Sequence, residues 1–185
     1  HPDGFELHDI LITQYCIEGN WKKARATMER LLLLRPNDNH AHRVAADLFL
    51  FARDYNAALD HLQKMKHVPP DYKIALAYVL LKKWDRGWAI TLLDEVIVQQ
   101  LKRIDEGGDV WSRTRYTLAE AYSVMNDKDS SLNWLEKAVD KGWTQYRWIE
   151  IDPRFDNIRD DPRYTELIDR MKAIVARERM EAGYT

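Results

Sequence analysis

The chain has 185 residues, with 28 lysines and arginines against 30 aspartates and glutamates, for a formal charge of −2. That balance excludes the basic excess of a general nucleic-acid or anionic-membrane binder. No apolar run approaches the roughly 20 residues of a membrane span, and "LLLL" at 31–34 is far too short. A single cysteine, Cys16, excludes an internal disulfide and neither requires nor excludes an oxidising compartment.

Starting at His1, with no initiator methionine and no signal-like segment, the chain reads as a piece of a longer protein. The compartment stays open, with the cytoplasm favoured over the periplasm. Hydrophobic content of 45% with 31% charged residues suits a well-packed helical body.

The first apolar stripe is Leu11, Ile12 and Tyr15. Gly19-Asn20 breaks it, Trp21, Ala24, Met28 and Leu31 form a second stripe, and Pro36 stops that one. The pattern then recurs: Ala45, Ala46 and Phe49, the turn Arg53-Asp54, then Tyr55, Ala58, Leu62 and Met65, closed by Pro70. Trp21 to Tyr55, Ala24 to Ala58 and Pro36 to Pro70 are each 34 residues apart. A third unit is degenerate. It shows Leu76, Ala77 and Leu80, a turn in "KKWDRGW", then Ala89, Leu93 and Val96, with a helix that overruns to about Ile104 before Gly107-Gly108. The fourth has Leu118, Ala119 and Tyr122, the turn "NDKD", and Ser131, Leu135 and Ala138, ending at Gly142, where a left-handed residue is expected.

Past Gly142, Asp152-Pro153 and Asp161-Pro162 each set an N-cap acceptor before a proline suited to the first helical position. One stubby helix and one long helix follow from that spacing. The long one carries Tyr164, Leu167, Ile168, Met171, Ile174 and Val175 on one stripe, a candidate cap for the last repeat.

The 34-residue unit of alanines, large apolar residues and a closing proline resembles the tetratricopeptide repeat family, a helix–turn–helix array. The expected fold is all-α: a right-handed solenoid of about four helical hairpins (residues 5–38, 39–70, 70–106 and 112–143) with C-terminal capping helices. The array spans 1–143 and the cap 144–185. The ending "LEKAVDKGW…IDPRFDNIRDDPRY" is similar to the C-terminal end of tetratricopeptide segments in bacterial multidomain signalling proteins, which accompany cyclases, kinases and winged-helix regulators.

Residue patterns for chemistry are weak. His40 and His42 point roughly 200° apart on a helix, His61 and His67 are six apart, and no His-Glu-x-x-His, Cys-x-x-Cys or Gly-rich phosphate loop occurs. "DNIRDD" at 156–161 lacks the glycine and distant glutamate of a calcium loop, so its aspartates read as caps. Cys16 reads as a packed, inert thiol. Trp21, Trp84, Trp88 and Trp134 read as core, while Trp111, Trp143 and Trp148 either line an aromatic pocket or, the favoured reading, pack the tail on the fourth repeat. No catalytic, metal or cofactor residue is assigned, and the expectation is a non-enzyme without cofactor.

The resemblance nominates the concave face, built from the first helix of each pair. Helical phase places there Glu6, Asp9 and Thr13, then His40, Arg43 and Asp47, then Tyr78 and Lys82, and finally Arg113, Tyr116 and Glu120. Mixed charge with two tyrosines suits a peptide, a helix or a neighbouring domain as partner, and neither nucleic acid nor membrane insertion. Asp9 and Thr13 stand where some family members hold a lysine and an asparagine that grip a C-terminal carboxylate, so that clamp is not expected. Alternatives are a regulatory segment attached to an upstream enzyme or transcription regulator, and a self-association module forming a homodimer.

Overall fold

The computed structural model describes residues 5–83, 85–107 and 112–183, with the side chains of residues 5 and 6 left aside. Eight helices form four antiparallel pairs: α1 (Phe5–Ile17) with α2 (Trp21–Leu34), α3 (Asn39–Phe51) with α4 (Tyr55–Gln63), α5 (Pro70–Lys82) with α6 (Arg86–Asp105), and α7 (Ser112–Val124) with α8 (Lys128–Asp140). Each first helix packs on the next first helix, and each second helix on the first helix of the following pair. This is the stacking of a tetratricopeptide-type helical solenoid, and no strand occurs among the described residues.

Three of the hairpin turns share one design. Gly19, Arg53 and Asn126 each take a left-handed backbone, with φ of 68°, 60° and 64°. The next residue, Asn20, Asp54 or Asp127, then caps the second helix, accepting from the amides of Lys23, Ala57 and Ser130. Satisfying those orphan amides sets where each second helix starts. A small residue recurs as the fourth of each second helix: Ala24, Ala58, Ala89 and Ser131 are fully buried, and the Ser131 hydroxyl donates to the Ala119 carbonyl of α7 at 2.9 Å.

Gly142 takes the left-handed conformation with φ 89°, and the Trp143 amide folds back to the Ala138 carbonyl, ending α8. Beyond it come α9 (Tyr146–Ile151), a 3-10 segment (Pro153–Ile158) and α10 (Pro162–Glu181). Asp152 and Asp161 act as the expected caps, accepting from the amides of Arg154 and Arg163. The tail builds a second core with the fourth pair, in which Ile149, Phe155, Ile158 and Met171 are fully buried against Leu135 and Ala138.

Several expectations need correction. Trp21 and Trp88 are 40% and 48% exposed and are not core. Trp88 stands one position off the buried stripe of α6 (Ala89, Leu92, Leu93, Val96), and Trp21 is the first residue of its helix, at the edge of the α1–α2 contact. Pro70 does not close α4, which stops at Gln63; it opens α5 as first residue, where its missing amide costs nothing. Trp84 and Trp111, with Gly108, lie outside the described residues.

Candidate functional site: a cavity closed by the returning tail

Inner helices α1, α3, α5 and α7 stack into one face, and the chain's own tail lies across it. α9 touches α1, at the opposite end of the array. Trp148 of α9 meets Phe51 at the end of α3 edge-on, with ring centres 4.5 Å apart. The 3-10 segment packs on α7 and α8. There the Ser123 hydroxyl lies 2.7 Å from the Arg154 carbonyl, and the Asn157 side-chain amide donates to the Ser123 carbonyl at 2.9 Å. Arg53, from the α3–α4 turn, donates to Asp156 at 2.6 Å.

At the centre of this closure is a buried charge cluster. Arg154 is 5% exposed, Asp152 fully buried and Glu120 2% exposed. The Arg154 guanidinium donates to both oxygens of Asp152 at 2.6–3.0 Å and stands 3.1 Å from one oxygen of Glu120. Burial pushes the Glu120 carboxyl up to about 7, against the attraction of Arg154 and with Asp152 adding to the rise.

Between the tail and the inner helices of the array a cavity of about 260 Å³ remains. Asp9, Thr13, Arg43, Asp47, Arg113, Tyr116 and Glu120, expected on the inner face, all line it. His40 stands beside it, 2.6 Å from Asp9 and 2.7 Å from Arg43. The tail contributes Trp143, Gln145, Trp148 and Arg154, and α5 adds Asp71 and Tyr72. Tyr78 and Lys82 fall on the other side of the return segment, at a second cavity of about 220 Å³ that Arg154 also lines. The side chain of Glu6 lies outside the described residues.

Tyr116 and Glu120 are not an exposed recognition surface. Tyr116 is 1% exposed and stacks on Trp143 with ring centres 4.0 Å apart, because the tail covers the part of α7 that an open groove would display. The tryptophans thus divide. Trp143 does pack the tail on the fourth pair, whereas Trp148 reaches the second, and both line the cavity. Burial likewise pushes the Asp47 carboxyl up to about 6, although Arg154 and the Tyr72 hydroxyl, which donates to it, pull the other way. Burial first, and the nearby Asp47 charge second, push the Cys16 thiol up to about 12. Cys16 is therefore a neutral thiol in the cavity wall.

Sequence reasoning missed Arg154, Gln145, Asp71 and Tyr72. Trp148 and Arg154 sit 97 and 107 positions after the α3 residues Phe51 and Asp47, and no periodicity reports on such a return. A signal did exist for Arg154: an arginine two residues after an N-cap aspartate, on a segment otherwise apolar at Phe155 and Ile158.

Among the described residues, no three or more histidine, cysteine, aspartate or glutamate side chains are grouped to hold a metal ion. Nor is any helix there long and apolar enough to cross a membrane. No protein-family model matches the chain, and no curated protein matches it either. Among solved structures it is similar to a MamA protein, with 15% identity and a TM-score of 0.46, over 100% of this chain and 97% of that one. It is also similar to YrrB, described as a TPR protein with an unusual peptide-binding site, with 14% identity and a TM-score of 0.44, over 90% of this chain and 84% of that one.

Proposed function

We propose that this chain is a non-catalytic protein-interaction module that receives a short peptide or loop at the cavity between α1, α3, α7 and the tail. The observation that supports this reading is the tail itself. A polypeptide segment lies against the inner helices, held by an inserted arginine, by Ser123 and Asn157, and by an aromatic contact at Phe51. That is the mode of recognition a partner segment would use, and the tail leaves about 260 Å³ of it unfilled. A role as the regulatory part of a larger signalling protein, beside a cyclase, kinase or winged-helix domain, belongs to the same proposal. It rests on the form of the tail alone.

The test is an array of random peptides of about seven residues, probed with the full chain, with hits measured by fluorescence anisotropy. Thr13→Trp, which fills the cavity from α1 without changing its charge, should weaken true ligands by at least about tenfold, a loss of roughly 1.4 kcal/mol. Lys22→Glu, on the outer face of α2, should leave them unchanged. Hits insensitive to Thr13→Trp would place recognition elsewhere. Self-association is the second reading, favoured by the exposure of Leu33 and Leu34 at 84% and 65%. Light scattering over a concentration range tests it, and a strictly monomeric chain removes it.

A further inference from the structure

Every guanidinium of the cavity wall already has a partner. Arg154 is committed to Asp152 and Glu120, Arg113 donates to Asp71 at 2.6 Å, and Arg43 bonds His40 and lies over the Tyr72 ring. The carboxylates are in excess. Asp9, Asp47, Asp71 and Glu120 line the cavity and Asp152 backs it, five against three guanidiniums and the His40 imidazole beside Asp9. Among the described residues Asp47 has a phenol as its hydrogen-bond partner and no ion pair. Oε2 of Glu120 has no hydrogen-bond partner, and neither has Nε1 of Trp143 nor the Tyr116 hydroxyl. All three residues are more than nine-tenths buried, and all three line the cavity.

Buried polar atoms left without partners are costly, so the set describes its ligand. It needs a cation for Glu120 and Asp47, and an acceptor for the indole N–H of Trp143. Aromatic walls from Tyr72, Tyr116, Trp143 and Trp148 suit the flat face or the methylene stem of a basic side chain. An anionic ligand would meet surplus carboxylates and no uncommitted cation. The tail offers an internal precedent, since it places a guanidinium beside Glu120 and satisfies one oxygen of the two.

We propose that the cavity is a receptor for the arginine or lysine side chain of an incoming peptide, an inference that rests on the peptide-binding reading above. The side chain donates to Glu120 Oε2 and Asp47, and the peptide backbone accepts from Trp143. Binding is linked to proton release from Glu120. The groups facing Glu120 are Arg154 and Asp152 from the tail, Arg113 and Tyr116 from α7, and Asp71 from α5. The ionised carboxylate is the binding form, so affinity rises with pH through about 7.

The experiment titrates the full chain with N-acetyl-arginine methylamide, the lysine equivalent and the neutral citrulline equivalent. The indole N–H signal of Trp143 is followed by NMR and assigned with Trp143→Phe. The expected result is a saturable shift with a Kd on the order of 1 mM for the arginine or the lysine probe. The citrulline probe and the Glu120→Gln variant should each bind at least about tenfold more weakly, and so should Asp47→Asn, a second variant should Glu120→Gln fail to fold. Affinity should fall when the pH is lowered from about 8 to about 5.5. No saturable shift at roughly ten times the expected Kd, or citrulline bound as well as arginine, overturns the proposal.

The peptide array separates the two readings. Hits sensitive to Thr13→Trp but without enrichment in arginine or lysine overturn this inference and leave the peptide-binding function standing. Arginine-probe binding with no peptide hit at all overturns the peptide as the source of the side chain.

Discussion

Replacing Arg154 by methionine tests the closure most directly. The side chain is 5% exposed and holds two carboxylates, Asp152 at 0% and Glu120 at 2%, with N–O distances from 2.6 to 3.1 Å. Methionine keeps much of the stem's packing but leaves two buried acids uncompensated. Breaking a buried pair from one side costs about 3–5 kcal/mol, against a whole-domain stability of roughly 5–15 kcal/mol. For a chain of this size, that lowers the thermal midpoint by about 6–20 °C.

The loss also has a pH signature. Glu120 already titrates at about 7 because it is buried, above an unfolded value near 4.5. A raised folded pKa means that stability is fullest below the unfolded value and declines as pH rises toward the folded one. Without Arg154 the folded pKa rises further, so the deficit of Arg154→Met should be smaller at about pH 5 than at about pH 8. Urea melts of both proteins at the two pH values measure it. A deficit below about 1 kcal/mol at pH 8, or one independent of pH, would refute the claim that this cluster is a buried counter-charge for the tail.

Three other outcomes are expected. Phe155→Ala, which empties a fully buried site in the tail core, should cost about 3–5 kcal/mol by chemical denaturation, and a cost below 1 kcal/mol would make the tail a loose tether. Cys16, 2% exposed with its thiol pushed up to about 12, should resist a thiol reagent in the native chain at neutral pH and react at once in denaturant. His42 donates from Nε2 to the Pro36 carbonyl at 3.1 Å, so its Nδ1 must accept, and the Nδ1–H of His61 supplies the proton at 3.0 Å. Burial, then the neighbouring His42, hold His61 below its ordinary 6.5, so that contribution is present above about pH 6.5 and lost as the pH falls below it. His61→Gln should flatten the change in stability between about pH 7.5 and 5.5, and an unchanged slope would refute the assignment.

The helical pairs were legible because their determinants are local. The 34-residue recurrence of Ala24 and Ala58 reports side chains buried within a hairpin or against its immediate neighbour. The turns at Gly19-Asn20, Arg53-Asp54 and Asn126-Asp127 announce themselves by residues that accept a left-handed backbone and then cap. Even the caps at Asp152 and Asp161 act over two residues.

Helical phase also placed Asp9, Arg43, Asp47, Arg113 and Glu120 on one face, since an inner helix shows the same side to the groove whatever covers it. What covers it was another matter. Whether the segment after Gly142 leaves the array, caps its end or turns back over the groove depends on Trp148 meeting Phe51, on Arg53 meeting Asp156, and on Arg154 meeting Glu120. Those partners are 97, 103 and 34 residues apart, and none of them repeats. An amphipathic stripe says that a helix must bury one side; it carries no record of the surface that buries it. The sequence by itself therefore determined a stack of helical pairs and the polar character of its inner face. Only the tertiary structure decided that this face is closed by its own tail into a cavity, because burial and charge pairing between distant segments are chosen by three-dimensional fit.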